Sequence, residues 1–230
     1  MVLMRAYIIS IGDELLCGDT VNTNAAWIAR QLCSRGVEVR RIVVIPDEVD
    51  EIAGALRDAD ADIVIITGGL GPTHDDITRF GIAKGVGDTL VRNEEALEFM
   101  RKAYEVTEDM EQMAHLPSRS TPLLNPVGSA PGFFIEDGGR RIFVLPGVPA
   151  EMEAMFEYVL PHLRGDAPHI RWVVSKKPEA HIAPVMREAL ERFSPLKIGS
   201  YPRAGQVRIK LSSNDPDVVE EAKRWLESRV

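Results

Sequence analysis

Apolar residues recur along this chain in two alternating patterns, one of short unbroken runs and one at helical spacing. Tyr7-Ile8-Ile9-Ser10-Ile11 and Asp62-Ile63-Val64-Ile65-Ile66 are apolar runs that read as buried strands, and residues 37–45 read as a further strand between them. Between them Ala25, Ile28, Ala29 and Leu32 share one face of a helix over residues 24–34, and Gly36 stands just past its end. Val49, Ile52, Ala53 and Leu56 do the same in a helix running to residue 59, with Asp47 as its expected N-cap. Residues 12–18, between the first strand and helix, read as a loop. Further helices are predicted over 77–85 and 94–104, with a less regular helical stretch towards 114. Pro117, Pro122, Pro126 and Pro131 divide the next region into short pieces. Residues 133–136 and 140–145 form a hairpin about Asp137-Gly138-Gly139. Pro149 suits the first position of a helix over 150–163.

Alternating strands and helices imply a parallel sheet wound by right-handed crossovers, an α/β fold. Gly165-Asp166-Ala167-Pro168 reads as a linker, dividing the chain into residues 1–165 and 166–230. Beyond it the order becomes strand (170–175), helix (179–193, with Pro184 assigned to its first turn), two strands (197–201 and 206–212) and a closing helix (216–228). Val218, Val219, Ala222, Trp225 and Leu226 line one face of that last helix. This is a small α+β module.

Open α/β sheets bind ligands beyond the C-terminal ends of their strands. Three loops fall at such ends, at Gly12-Asp13, Pro46-Asp47 and Gly68-Gly69, so carboxylates remote in sequence are expected on one rim. The third loop, Thr67-Gly68-Gly69-Leu70-Gly71-Pro72-Thr73-His74-Asp75-Asp76-Ile77-Thr78, follows a strand and enters a helix. Glycines let backbone approach a ligand, and unpaired N–H groups at a helix start favour phosphate. Asp75 and Asp76 offer hard oxygen ligands to a divalent cation. The competing reading is a tight turn whose aspartates cap the helix. His74 reads as a phosphate contact or a solvated loop residue, and Cys17 and Cys33 as packing residues, since no spacing resembles a zinc site.

The 230 residues carry a net charge of -8, which argues against nonspecific nucleic-acid binding but not against a small anion held with a cation. Two cysteines make no disulfide framework, and no apolar run reaches the length of a membrane span. A soluble cytoplasmic protein with no secretory leader is expected.

Gly12-Asp13-Glu14-Leu15-Leu16, Asn22-Thr23-Asn24, the run from Thr67 to Thr78, Asn125-Pro126-Val127-Gly128-Ser129-Ala130-Pro131-Gly132 and the stretch from Leu145 to Met152 occur in this order. Together they resemble the N-terminal domain of the competence/damage-inducible protein CinA, itself similar to the molybdopterin-binding fold of molybdenum-cofactor biosynthesis proteins. The tail resembles the small KH-like module that follows in CinA, chiefly at Ser200-Tyr201-Pro202. The resemblance implies a three-layer α/β/α domain with a mostly parallel sheet. It implies metal-dependent hydrolysis of ADP-ribose to AMP and ribose 5-phosphate. The alternatives are molybdopterin binding or adenylyl transfer, and then a noncatalytic binding module. On this reading Asp76, Asp75 and Asp47 hold Mg2+ or a similar cation, and Asp13 or Glu14 orients water or a ribose hydroxyl. Gly68, Gly69, Gly71, Thr73, Asn24 and Gly147 contact the ligand. Nothing in the chain resembles the deamidase domain often found in CinA proteins, so that activity is not expected. The C-terminal module lacks the Gly-x-x-Gly clamp of RNA-binding KH domains, and a homodimer is a further expectation.

Overall fold

The computed structural model describes residues 3–230, and the chain divides into two compact units, 1–165 and 166–230. The first unit opens with β1 (Arg5–Ile11), α1 (Asp13–Cys17), α2 (Thr23–Cys33), β2 (Glu38–Ile45), α3 (Val49–Arg57), β3 (Ile63–Gly68) and α4 (Thr78–Gly85). It continues through β4 (Leu90–Arg92), α5 (Glu94–Ala103), α6 (Glu108–Glu111), β5 (His115–Pro117), β6 (Thr121–Leu123), β7 (Gly132–Asp137), β8 (Arg140–Pro146) and α7 (Pro149–Met155). Its main sheet has the order β2-β1-β3-β8-β7-β6; β2, β1, β3 and β8 run parallel, while β7 and β6 are added antiparallel. A small ribbon pairs β4 with β5.

The period-two alternation of the strands builds two cores. Tyr7, Ile9, Val64, Ile66 and Val144 face Ile52, Leu56, Ile82, Leu97 and Met100 of α3, α4 and α5. Ala6, Ile8, Ile63, Ile65, Phe143 and Leu145 face Ala25, Ile28, Leu32, Met152 and Met155 of α2 and α7. Helices thus cover both sheet faces, and the sheet is continuously buried at β1 and β3, as parallel sheets require.

The second unit comprises β9 (His169–Ser175), α8 (Glu179–Arg192), β10 (Lys197–Arg203), β11 (Gln206–Ser213) and α9 (Pro216–Glu227). Its antiparallel sheet has the order β10-β11-β9. Both helices pack on one face over Val173, Val207, Ile209 and Leu211.

Several elements depart from the sequence reading. Residues 13–17 form a short helix rather than a loop, ended by Gly18 at a left-handed φ of 81°. Glu48, not Asp47, occupies the N-cap of α3, and no side chain bonds there. The helix expected over 150–163 ends at Met155 and continues as 3-10 turns at Phe156–Tyr158 and Leu160–His162, where Pro161 has no N–H to give. Pro184 sits at the sixth position of α8, inside the helix. Cys17 and Cys33 are exposed rather than packed. Met152, Met155 and Phe156 are core residues.

Candidate functional site

Beyond Ile11, Ile45 and Gly68, the chain leaves β1, β2 and β3 on the same rim, because those strands are parallel neighbours. There Asp13 and Asp47 hold each other: the Asp13 N–H donates to Asp47 Oδ2 at 3.0 Å and the Asp47 N–H donates to Asp13 Oδ1 at 3.3 Å. This exchange takes up Asp47 in place of the capping role. Burial raises the Asp47 carboxyl above its ordinary value, opposed by the bond from Asp13 and reinforced by the charges of Asp13, Glu14 and Asp75.

The glycine loop closes around Asp76. The Thr73 N–H donates to Asp76 Oδ2 at 2.8 Å, and the Thr73 hydroxyl donates to the same oxygen. A Cβ on Gly69 would lie 2.5 Å from Asp76 Oδ1 and 3.1 Å from its Cα, and one on Gly71 would lie 2.8 Å from Oδ2. Neither glycine can carry a side chain while Asp76 keeps this seat. Asp76 does not cap the following helix: the N-cap of α4 is Ile77, without a side-chain bond. Asp75 is exposed, its Oδ1 4.0 Å from Nδ1 of an exposed His74.

Under this loop lies Arg79, only 3% exposed. Its guanidinium donates to the carbonyls of Leu70 (3.2 Å) and Gly71 (3.4 Å). Burial holds its pKa below the ordinary value, opposed only in part by the nearby Asp76 charge. Arg79 thus draws loop carbonyls inward. Sequence reading missed it, although a lone arginine in the first turn after a glycine loop is a detectable signal.

The opposite wall comes from β8 and the segment before β7. Gly68 pairs with Pro146, so Gly147 follows beside the glycine loop. Asn24, 9% exposed, donates to the Gly147 carbonyl at 2.7 Å while its own Oδ1 has no protein partner. Asn22 caps α2, its Oδ1 accepting from the Ala25 N–H at 3.0 Å. Asn125 is fully engaged: Nδ2 donates to Ala130 O and to Glu151 Oε2, and Oδ1 accepts from the N–H groups of Val127 and Gly128. Asn125 and Glu151 were also missed as site residues; an Asn-Pro-x-Gly run is the sequence signal for such a turn.

These walls enclose a cleft of about 360 Å³. Glu14, Asp47, Gly68, Gly69, Gly71, Asp75, Asp76 and Gly147 line it together with Ser129, Val148 and Glu151, whereas Asp13, Thr73 and Asn24 do not line it but bond to Asp47, Asp76 and Gly147, which do. Among the described residues, five carboxylates and no lysine, arginine or histidine line the cleft. Phosphate bound there needs a cation between it and those acids. Among the described residues no group of three or more His, Cys, Asp or Glu forms a ready metal cage. The donors still suit Mg2+, which commonly takes one or two carboxylates and completes its shell with water and substrate phosphate.

A parallel sheet covered on both faces, with a glycine loop and an acidic cleft beyond its strand ends, defines an α/β/α domain of the small-molecule-binding kind. Residues 7–165 match the family described as the probable molybdopterin binding domain, and the chain belongs to that family. Residues 168–230 match the middle domain of FAD synthase. A protein of Pyrobaculum aerophilum is 48% identical over 219 aligned positions, covering 90% of this chain and 82% of that protein. The crystal structure of the protein CinA from Thermoplasma acidophilum, of unknown function, is 44% identical with a TM-score of 0.67, covering 69% of this chain and 98% of that one. The first unit is accordingly CinA-like. The molybdopterin biosynthesis enzyme MoaB from a Thermus species shares the fold at 23% identity and a TM-score of 0.51, over 70% of this chain and 92% of that one. No helix among the described residues is long and apolar enough to cross a membrane.

Proposed function

We propose that the first unit binds a small phosphorylated ligand of the pterin or nucleotide class, with molybdopterin or its adenylylated form as the leading candidate. The observation that carries this reading is the glycine loop, held open by Asp76 and Arg79 at the mouth of an acidic cleft. Membership of the probable molybdopterin binding domain family supports the pterin over other phosphate esters. The loop N–H groups would take the phosphate oxygens, because Arg79 engages the carbonyls of Leu70 and Gly71. Asp76 and Asp75 would hold a divalent cation, with Asp47 the third candidate on the facing loop. Such a cation supplies charge neutralisation and, in phosphoryl chemistry, Lewis-acid activation. Gly147, fixed by Asn24, would line the other side of the ligand.

Anaerobic fluorescence titration with molybdopterin in magnesium buffer tests this. Saturable binding, weakened at least tenfold by EDTA or by Asp76→Asn, is expected. No saturable binding in either buffer contradicts the proposal.

A second reading is hydrolysis of ADP-ribose to AMP and ribose 5-phosphate. Asp47 favours it, since a cleft-lining carboxyl raised by burial is better suited to taking a proton from water. Release of AMP above an Asp47→Asn control would place this chemistry ahead of simple binding; equal release by both proteins would discard it.

A further inference from the structure

The sheet of the second unit is covered by helices on one face only, and its other face has an unusual composition. Strand register fixes that face: Tyr201 pairs with Arg208 and Arg208 with Val174, while Gly199 pairs with Lys210 and Lys210 with Trp172. Lys197 and Arg203 belong to the same face, because they alternate with the core-facing Ile198 and the Ser200 that bonds Glu179 of α8. Four cations therefore stand on this face. Glu179, which accepts from Ser200, and Glu220, which pairs with Arg171, belong to the helix side.

Two aromatic rings meet across the central strand. Trp172 and Tyr201 come from the two outer strands, yet their ring centroids are 5.5 Å apart. The approach depends on Gly199: a Cβ there would lie 2.9 Å from the Tyr201 ring, so the tyrosine folds down over the glycine. Arg208 stacks on Trp172, its Cζ 4.5 Å from the ring centroid. Trp172 and Tyr201 remain 39% and 47% exposed. Residues 166–230 hold 12 Lys and Arg against 9 Asp and Glu, so this unit is positive in a chain of net charge -8.

We propose that the open face of the β10-β11-β9 sheet is a docking surface for single-stranded nucleic acid. The argument is charge complementarity joined to stacking. Four cations on a face whose described strand positions carry no acid suit a phosphodiester backbone, and paired exposed aromatics suit unstacked bases. A duplex offers no free base faces and is disfavoured. The net negative charge of the chain does not oppose this locally, because exposed charges more than about 8–10 Å apart are largely screened at physiological salt. The surface differs from a KH clamp, whose Gly-x-x-Gly loop is missing, and it uses none of the residues that line the cleft of the first unit.

The test uses the full chain and fluorescence anisotropy with a labelled oligouridylate of about 12 nucleotides, long enough to cover such a sheet. Saturable binding is expected, with log affinity falling against log salt at a slope near -3 if all four cations touch phosphate at roughly 0.7 each. Trp172→Ala should weaken binding about tenfold. The double variant Arg208→Glu/Lys210→Glu should abolish it. All three positions lie outside the module's core, and unchanged far-UV circular dichroism would confirm folding. The proposal is overturned by equal affinity for a duplex, by an unaffected Trp172→Ala variant, or by competition from ADP at the same concentration as the oligonucleotide. Sedimentation showing a dimer broken by the double variant, with no oligonucleotide bound, would assign the face to a second copy and overturn it as well.

Discussion

At Gly69 one methyl group separates an open loop from a displaced one. A Cβ there meets not only a carboxylate oxygen but the Asp76 Cα at 3.1 Å, so the backbone itself must give. Gly69→Ala is expected to weaken molybdopterin binding at least tenfold while leaving the far-UV circular dichroism spectrum unchanged; unaltered affinity would remove the loop from the site. Asp47 provides a pH test. Its folded pKa lies above the ordinary carboxyl value of 3.8, so the native state holds its proton more tightly than the unfolded chain. Folding takes up a proton in the window just above pH 3.8, and stability from this group falls as pH rises through it. Asp47→Asn keeps an oxygen to accept the Asp13 N–H and removes the charge. In EDTA its urea midpoint should exceed that of the parent at neutral pH, and the advantage should shrink below about pH 4. His162 has the opposite sense. Burial beside Phe134 and Phe143 lowers its pKa from 6.5, so the unfolded state binds more protons and stability drops as pH falls below 6.5. His162→Gln should flatten that limb of the urea-midpoint profile.

Among the elements, α8 carries an interior proline whose ring crowds the Ala180 carbonyl and supplies no N–H to it. Pro184→Ala should stabilise the second unit by about 1–3 kcal/mol, read as a later thermal transition; an unchanged transition would mean the helix absorbs the proline without cost. The legibility of elements followed their physics. Runs such as 63–66 and the faces of α2, α3 and α9 were plain in the sequence, because burial on one or both sides imposes a fixed period. Residues 13–17 were not, since a single turn of helix with no buried residue has no period to display. The end of α7 was hidden for a related reason: 3-10 turns keep burying Phe156 and Val159, so the apolar pattern runs on after the α-helix has stopped. The rim was legible at Gly68–Gly71 and Asp76, where glycine and acid chemistry is local. Arg79, Asn125 and Glu151 act through backbone carbonyls or through partners remote in sequence, so the local signals at Arg79 and Asn125 name a turn and not a ligand.

For the whole molecule, the two units divide charge and chemistry. Residues 1–165 hold 15 Lys and Arg against 26 Asp and Glu, and five of those acids line one cleft. The ligand of the first unit should therefore depend on a divalent cation. A ligand bound equally well in EDTA and in magnesium would need a cationic group of its own. Whole-chain charge concealed the positive face of the second unit, because a single sum averages unlike parts. The central claim is that the glycine loop is the phosphate seat of a pterin or nucleotide site. A crystal structure of the protein soaked with molybdopterin and magnesium tests it most directly. The account predicts the ligand phosphate within hydrogen-bond distance of N–H groups in residues 68–71, with a cation between it and Asp76. A ligand ordered elsewhere on the protein, with those N–H groups turned away, would contradict it.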